Sequence, residues 1–314
     1  MKTAFIATVF NDEEGTRRLL NSLLSQSVIP SEIIIVDAKS SDGTPDIVNE
    51  FVAKFPKGTA RLLVKKSNRS KGRNWAIRNL KNDLVAVSDA GCVLDRFWFE
   101  KITTPFADKK IDVVAGFYKP KTKNVFEKCL ACYTSVMSDK VTQEFLPSSR
   151  SIAFKKSAWQ KTGGYPEYLD TCEDLVFAQK MKKSGFNFFI EKNVFVWWPQ
   201  KKDLIGAFYQ LFSYAKGDGA AMYFRFQTPI LFLRYLVVFC LVLSFLYSGN
   251  TIIPSFLAFA FLLYALWAIL KNYKYVKKYR ALLYLPVLQI TSDIAVILGM
   301  IVGFFEFFKR KLML

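Results

Sequence analysis

Three long apolar segments in the last third of the chain constrain its fold most. They are residues 230–247, interrupted only by Arg234, residues 252–270, and residues 281–305, which contain Asp293. A membrane-spanning helix needs about 20 predominantly apolar residues, with about 17 as the lower limit. The second segment meets this requirement, and the first does so if the charged end of Arg234 reaches the interface. A soluble core rarely accommodates successive apolar segments of this length, so we predict membrane helices.

The loop between the second and third segments predicts the topology. Its basic residues are Lys271, Lys274, Lys277, Lys278 and Arg280. Because cytoplasmic loops carry an excess of Lys and Arg, we predict a multi-pass protein of the cell membrane whose N-terminal 228 residues are cytoplasmic. The odd number of irregularly spaced cysteines agrees, since it is typical of a reducing compartment. The basic tail at residues 309–311 conflicts with a third complete span, so residues 281–305 either cross against this rule, re-enter, or lie in the interface.

The composition indicates an ordered chain with anionic partners. The 314 residues are 52% hydrophobic and 22% charged, which is too apolar for a disordered polypeptide. The 44 Lys and Arg against 26 Asp and Glu give a net charge of +18, which suits anionic headgroups or phosphate-bearing ligands. No nucleic acid is expected, because the basic residues are scattered and no nucleic-acid motif occurs. Since the chain has no His, acid–base chemistry must use Asp, Glu, Lys, Tyr or Cys.

Strand and helix patterns alternate in the N-terminal part of the chain. Apolar runs that predict strands occupy residues 4–9, 32–36, 61–64 and 84–87, and helical patterns lie between them. This alternation predicts an α/β domain built on a parallel sheet with helices on both faces.

The sequence suggests three regions. Residues 1–200 form the α/β domain, and residues 229–314 form an all-α transmembrane region with two or three spans. Between them, residues 201–228 contain apolar positions at helical spacing, which predicts an amphipathic helix on the membrane surface. An ordinary surface helix packed on the domain is the alternative for this middle region.

Polar residues follow three of the predicted strands, at residues 8–12, 37–42 and 89–95. In an open α/β sheet the ligand crevice lies outside the carboxyl ends of the strands. Each segment alone could be a helix cap or a turn. The three together predict one binding crevice.

Six short motifs follow one another along about 210 residues. They occupy residues 8–13, 35–44, 71–76, 88–92, 148–154 with 163–165, and 172–174. Each motif is weak alone, but in this order they resemble family 2 of the GT-A glycosyltransferases, which are inverting, nucleotide-sugar-dependent enzymes. The resemblance implies a GT-A, Rossmann-like nucleotide-sugar-binding domain in a glycosyltransferase that acts on cell envelope glycans.

The resemblance also implies which residues bind the nucleotide-diphosphate sugar. The candidates are Thr8, Phe10, Asp37, Lys71, Arg73, Asn74, Asp89 and Arg150. Asp37 is expected to accept a hydrogen bond from the base, and Phe10 to stack on the base unless it is a core aromatic residue. Lys71, Arg73 and Arg150 are expected to assist the diphosphate.

The family's DxD metal motif is incomplete in this chain. Asp89 is followed by Ala90 and Gly91, so the second carboxylate is missing. Mg²⁺ commonly keeps several waters and uses one or two carboxylates together with substrate phosphates. We therefore predict that Asp89 and diphosphate oxygens hold Mg²⁺ or Mn²⁺, with poor affinity when the nucleotide is absent. Asp95 is a candidate to support the site indirectly.

An inverting transfer is a single displacement at the anomeric carbon, and the acceptor hydroxyl loses its proton as it attacks. The Glu-Asp motif at residues 173–174 resembles the family segment that carries the catalytic base. Asp174 is the predicted base, and Glu173 is predicted to orient the acceptor. The alternative is that both residues only begin a helix, since acidic residues favour first turns.

The acceptor side is expected in the amphipathic region, with Gln210, Tyr214 and Lys216 as candidates. Processive family members carry Gln-x-x-Arg-Trp, whereas Gln210 is followed by Leu-Phe-Ser-Tyr, which favours transfer of one sugar. Membrane anchoring suggests a lipid-linked or glycolipid acceptor. Two alternatives stay open: a polyprenyl-phosphate glycosyl synthase, and a non-catalytic membrane protein with a degenerate transferase fold.

Overall fold

The computed structural model describes residues 2–142 and 144–313, which divide into two compact units. The first unit comprises Met1–Lys121 and Ser138–Pro199, and the second comprises Thr122–Met137 and Gln200–Leu314. The domain bounds given above stay a prediction. The structure adds that residues 122–137 belong with the C-terminal helices, although the sequence places them inside the α/β region.

The first unit is built on an eight-stranded sheet. Its strands are β1 (Thr3–Val9), β2 (Glu32–Asp37), β3 (Ala60–Val64), β4 (Leu84–Val87), β5 (Val93–Leu94), β6 (Val113–Lys121), β7 (Ile152–Lys155) and β8 (Phe188–Pro199). They lie in the order β3-β2-β1-β4-β7-β6-β8-β5. Strands β1 to β4 are mutually parallel, whereas β7 is antiparallel to both of its neighbours and β5 is antiparallel to β8.

The sheet is therefore mixed, which corrects the prediction of a parallel sheet. The prediction holds for the direction of β1 to β4, and the apolar runs of β1, β2 and β4 are buried on both faces as parallel strands require. Strand β7 enters between β4 and β6 in the opposite direction, with Ile152 paired to Val87. The residues just before β7 consequently lie at the carboxyl end of β4, beside the residue that follows that strand.

Helices cover both faces of this sheet, as predicted. Chain order gives α1 (Glu13–Leu24), α2 (Thr44–Val52), α3 (Arg69–Arg78), α4 (Trp98–Thr103), α5 (Val125–Thr134), α6 (Lys156–Lys161) and α7 (Glu173–Lys183), of which α5 belongs to the second unit. Alternate β1 residues such as Phe5 and Ile6 enter two separate buried clusters. Helices α1, α2 and α4 contribute to one cluster, and α3, α6 and α7 contribute to the other.

The second unit contains α5 and the four C-terminal helices α8 (Leu204–Ala220), α9 (Gln227–Ser248), α10 (Ile252–Val276) and α11 (Ala281–Leu312). By length and composition, α9, α10 and α11 could each cross a membrane. Their most apolar stretches differ in burial, because 6% of the stretch is buried in α9 and in α10 but 39% in α11.

Helix α11 packs closely on α8 through glycine residues. A Cβ on Gly219 would lie 2.6 Å from the carbonyl oxygen of Met300, and one on Gly299 would lie 2.5 Å from that of Phe212. A Cβ on Gly303 would meet backbone atoms of α8 as well. The two backbones approach this closely only because these positions carry no side chain.

Arg234 is paired with a carboxylate inside the second unit, a partner that the sequence did not indicate. Its Nη2 donates to Oδ2 of Asp293 at 2.8 Å, and the hydroxyls of Tyr235 and Tyr264 donate to the same oxygen at 3.1 and 2.6 Å. Oδ1 of Asp293 accepts from Nε2 of Gln289 at 2.9 Å. These bonds join α9, α10 and α11, and they neutralise the two charges that the apolar segments contain.

Candidate functional site

The loops that follow β1, β2 and β4 meet at one edge of the sheet. Asn11, after β1, donates its N–H to Ser40 Oγ at 2.9 Å and accepts from the Ser41 N–H through Oδ1 at 2.8 Å. A Cβ on Gly91, after β4, would lie 3.8 Å from Oδ2 of Asp12 in the loop after β1. The polar segments that the sequence singled out therefore touch one another.

Arg73 lies at the centre of the candidate site. Its Nη2 contacts Oδ1 of Asp89 at 2.6 Å, and its Nη1 contacts Oε1 of Glu173 at 2.7 Å. The Arg73 side chain is only 1% exposed, and its guanidinium lies 5.2 Å from the centre of the Tyr165 ring. One guanidinium thus joins the residue of the incomplete metal motif to the Glu-Asp motif, and the two motifs share a single site.

The charges around Arg73 shift the acidity of its partners. Burial works against ionisation of Asp89, yet the positive charges of Arg73, Arg150 and Arg69 hold the pKa of this carboxyl below its ordinary value. Burial and the neighbouring Asp174 raise the pKa of Glu173, against the opposing effect of Arg73. The carboxyl group of Asp89 is therefore expected to be ionised at neutral pH.

Asp174 begins α7 beside Glu173 and is half-buried. Its Oδ2 accepts from the Ser149 N–H at 3.3 Å, and the Ser149 hydroxyl donates to that of Tyr165 at 3.0 Å. Glu173 is buried at the same helix start and is engaged by Arg73. Of the two carboxylates, Asp174 is the more exposed.

Arg150 precedes β7 and lies between two aromatic rings. Its guanidinium carbon is 3.9 Å from the centre of the Trp198 ring and 4.9 Å from that of Tyr118. The Arg150 carbonyl accepts from the Ser88 hydroxyl at 2.8 Å, which ties this segment to the end of β4. The sequence motifs indicated Arg150 but missed both rings, and the aromatic run at residues 195–198 was the available signal.

Asn74 was expected to bind the donor, but its side chain is fully used inside the first unit. Its Nδ2 donates to the Tyr165 carbonyl at 2.8 Å and to Glu167 Oε1 at 3.0 Å. Its Oδ1 accepts from Trp159 Nε1 at 2.8 Å and from the Tyr165 N–H at 2.9 Å. An amide offers two donor hydrogens and two acceptor positions, so Asn74 holds α3 against residues 159–167 rather than a ligand.

Asp37 was expected to contact the base, and the structure uses both of its oxygens locally. Oδ2 accepts from the Ser40 N–H at 2.9 Å, and Oδ1 accepts from the Ser40 hydroxyl at 2.5 Å. The Asp37 side chain is buried. It therefore shapes the loop after β2, and its contact with a base stays a prediction.

Three other donor-side candidates differ in exposure. Phe10 is 58% exposed, which excludes the core aromatic alternative and leaves the ring available for stacking. Lys71 is exposed at the first turn of α3. Thr8 is partly buried, and its methyl group lies 2.8 Å from where a Cβ on Gly72 would stand, so Thr8 sets the approach of α3 to β1.

The acceptor-side candidates lie on α8 in the second unit. Gln210 Nε2 donates to the Tyr214 hydroxyl at 3.1 Å, and Lys216 Nζ pairs with Glu306 Oε1 at 2.8 Å. Their role at the acceptor stays a prediction.

Asp89 suits a cation that the nucleotide brings with it. Its side chain is 24% exposed and its Oδ1 is held by Arg73. Over residues 2–142 and 144–313, no group of three or more Cys, Asp or Glu side chains could hold a metal ion. Asp89 acting as a single carboxylate fits the prediction of an ion held mainly by phosphate oxygens and water.

Solved structures define the class of the fold. A mannosyltransferase from Pyrobaculum calidifontis, solved in complex with GDP-Man and Mn²⁺, is 17% identical and superposes with a TM-score of 0.64 over 93% of this chain and 86% of that one. The mixed α/β sheet is therefore a GT-A-like fold, as predicted.

Sequence comparisons specify the family. Residues 4–148 match the model for Glycosyl transferase family 2. The glycosyltransferase AglE of Haloferax volcanii is 20% identical over 58% of this chain and 62% of its own, and the O-antigen chain rhamnosyltransferase RfbN of Salmonella typhimurium is 21% identical over 59% and 62%. The chain therefore contains a family 2 glycosyltransferase domain, which confirms the resemblance, and it spans less than two thirds of either relative.

Proposed function

We propose that this chain transfers one sugar from a nucleotide-diphosphate sugar to a hydroxyl group of a lipid-linked acceptor, with inversion at the anomeric carbon. The observation that carries the proposal is the guanidinium of Arg73, which binds Asp89 on one side and Glu173 on the other. It supports one site with a diphosphate end at Asp89 and a carboxylate base at Asp174. The family 2 domain supports the activity class.

Asp174 takes the proton of the acceptor hydroxyl as the new bond forms. A general base must be reachable and fixed in orientation. Asp174 is half-buried and is oriented by the Ser149 N–H. Glu173 is buried against Arg73, so we assign it the positioning of Arg73 and not contact with the acceptor.

Asp89 and Arg150 serve the departing nucleoside diphosphate. The lowered pKa keeps Asp89 ionised and ready to bind a cation. Arg150 offers positive charge held between Trp198 and Tyr118, so little ordering remains to be done when the substrate binds. A Mg²⁺ or Mn²⁺ ion bound with the substrate would stabilise the negative charge that develops on the diphosphate.

The membrane helices support a lipid-linked acceptor and a catalytic domain in the cytoplasm. Three helices could cross a membrane, and the basic loop at residues 277–280 favours the cytoplasmic side. One relative is named as an O-antigen chain rhamnosyltransferase, and we take this name as support for a glycan acceptor held at the membrane surface.

Substitution of Asp174 tests the proposal. The full chain with Asp174→Asn should retain donor binding but transfer sugar about 10²–10⁴-fold more slowly, because the base is lost and the shape is kept. The measurement is transfer to a lipid-extract acceptor from a panel of nucleotide sugars that includes GDP-Man. Asp46→Asn, an exposed carboxylate in α2, is the matched control and should behave as wild type.

Two outcomes would replace the proposal. Full activity of Asp174→Asn on a polyprenyl-phosphate acceptor would indicate a polyprenyl-phosphate glycosyl synthase, because a phosphate needs little deprotonation. No turnover or hydrolysis of any donor by the wild type, with Mg²⁺ or Mn²⁺ present, would indicate a non-catalytic protein.

A further inference from the structure

We propose that α8 and α11 lie side by side on the cytoplasmic leaflet of the membrane, so that the chain crosses the bilayer twice and α11 is not a third span. We call these two helices the surface pair. The partner of the surface pair is the boundary between acyl chains and anionic headgroups. This inference does not depend on the proposed transferase activity.

The two helices of the surface pair run in the same direction. Gly299 of α11 lies against Phe212 and Lys216 of α8, and Gly303, one turn later, lies against Lys216 and Ala220. Successive turns of α11 therefore meet successive turns of α8. Such close contact along glycines fixes the two helices as one element.

The last turns of α11 are bound to the end of α8. Arg310 Nη2 donates to the carbonyl of Ala220 at 3.1 Å, and Lys216 Nζ pairs with Glu306 Oε1 at 2.8 Å. Residues 221–226 connect the end of α8 to the start of α9. The end of α11 is thus held on the membrane side where α9 begins.

The first turn of α11 lies on that same side. Residues 277–280 connect the end of α10 to the start of α11. Helices α9 and α10 are consecutive spans joined by residues 249–251, so α9 begins and α10 ends on one side of the membrane. Both ends of α11 are therefore on that side, and α11 cannot cross.

The charges of α8 lead to the same conclusion. Its last turns carry Lys216 and Asp218, and Asp218 forms a two-bond ion pair with Arg225, at 2.5 and 3.1 Å. Charges at the bilayer centre are costly, so this part of α8 and the α11 turns beside it belong at the surface.

The exposed side of α11 suits the lipid boundary. From residue 294 onward, its large exposed apolar residues recur at helical spacing and are Ile294, Leu298, Ile301, Val302, Phe305, Phe308 and Leu312. Basic residues at positions 309–311 flank this stripe and complement anionic headgroups. The stripe is also continuous in sequence with two helices that cross the same membrane.

A tail on the cytoplasmic side removes the conflict found in the sequence. Residues 309–311 then share a side with the basic loop at residues 277–280, as the positive-inside rule requires. The pair of Arg234 and Asp293 also lies nearer the headgroups, where burial of charge costs less.

Cysteine labelling tests the topology. Full-length chains with Asn250→Cys, Tyr279→Cys or Met313→Cys are treated with a membrane-impermeant maleimide, in intact cells and after the membrane is opened. Position 250 should react in intact cells, and positions 279 and 313 only after opening. Reaction of position 313 together with position 250 would overturn the proposal, and the wild-type chain gives the background of its five native cysteines.

Depth measurements test the lipid partner. Spin labels at positions 294, 298, 301, 305 and 308 are compared in vesicles of phosphatidylcholine and phosphatidylglycerol, in a chain with Cys132, Cys172 and Cys240 replaced by Ser. The surface pair predicts one shallow depth, about 5–10 Å, at every position. Labels that lie progressively closer to the bilayer centre along the series would show that α11 spans the membrane. Water exposure at every position would show that the labelled face of α11 does not contact lipid. Either result would overturn the proposal.

Discussion

At the scale of single residues, Arg73 determines the arrangement of the candidate site. Its two ion pairs bring Asp89 and Glu173 together. Without Arg73, the two negative carboxylates would repel each other. A planar guanidinium can serve both carboxylates at once because its donors point in different directions. Arg73 thus orients two carboxylates of the site, and the assistance to the diphosphate that the resemblance implies stays a prediction.

Replacing Arg73 with Met should destabilise the chain by about 3–5 kcal/mol, because it leaves the buried Glu173 and the partly buried Asp89 without their cation. The measurement is the unfolding midpoint in detergent. Arg73→Lys, which keeps the charge but not the fork, should lie between Met and wild type.

The stability that Arg73→Met loses should depend on pH. Glu173 already has a raised pKa in the wild type, and removal of Arg73 raises it further. When the pKa of Glu173 is higher in the folded state than in the unfolded state, the folded state binds the proton more readily. Protonated Glu173 therefore contributes favourably to the free energy of unfolding in acid, and this contribution is lost as pH rises through the folded-state pKa. The stability deficit of Arg73→Met should therefore shrink as pH falls. A deficit that grows toward acid would contradict the buried carboxylate pair.

Some of these residue roles could be predicted from sequence and others could not. Asp89 and the Glu-Asp motif stood out because an acidic residue after a strand, followed by an acidic pair at a helix start, matches the order of the family's motifs. Asn74 stood in the same motifs, yet its four hydrogen bonds go to residues about 90 positions away. Sequence spacing cannot show which partner satisfies a buried amide, since the partner depends on the tertiary fold.

At the scale of elements, β7 gives the site its second side. Because β7 is antiparallel to β4, Ser149 and Arg150 arrive at the carboxyl end of β4 beside Asp89. The predicted alternation of strands and helices identified β1 to β4 but not this insertion. Periodicity reveals a strand and its buried face, while the direction of a strand depends on the connection before it.

The closest helix contact, between α8 and α11, should be sensitive to one methyl group. A Cβ on Gly303 meets the backbone of Lys216 and Ala220, so Gly303→Ala must separate the helices at a cost of roughly 1–3 kcal/mol. Gly206→Ala, a glycine substitution on α8, is the matched control, because its Cβ meets only side-chain atoms at 3.2 Å or more. The measurement is the thermal midpoint in detergent, and equal midpoints for the two variants would contradict the close packing.

At the scale of the whole molecule, charges are paired in the apolar part as well as in the candidate site. Arg234 and Asp293 each interrupt an apolar segment, and the sequence gives no sign that they meet. In the structure they bond to each other and, with two tyrosines and a glutamine, connect α9, α10 and α11. This pairing across helices means that neither charge stands alone within its apolar segment.

A double-mutant cycle should show this coupling. Arg234→Met or Asp293→Leu alone leaves an unpaired charge and should cost about 3–5 kcal/mol, whereas the two together should cost much less than the sum. The measurement is the unfolding midpoint of each chain in the same detergent. Additive losses would show that the two side chains do not interact.

We propose that the diphosphate end and the base end of one sugar-transfer site lie on either side of Arg73. The most direct measurement is a structure of the full Asp174→Asn chain with a nucleotide-diphosphate sugar and Mn²⁺, in which anomalous scattering locates the ion. We expect the ion at the carboxylate of Asp89 and the anomeric carbon between that ion and residue 174. An ion bound away from Asp89, or a sugar that residue 174 does not face, would contradict the account.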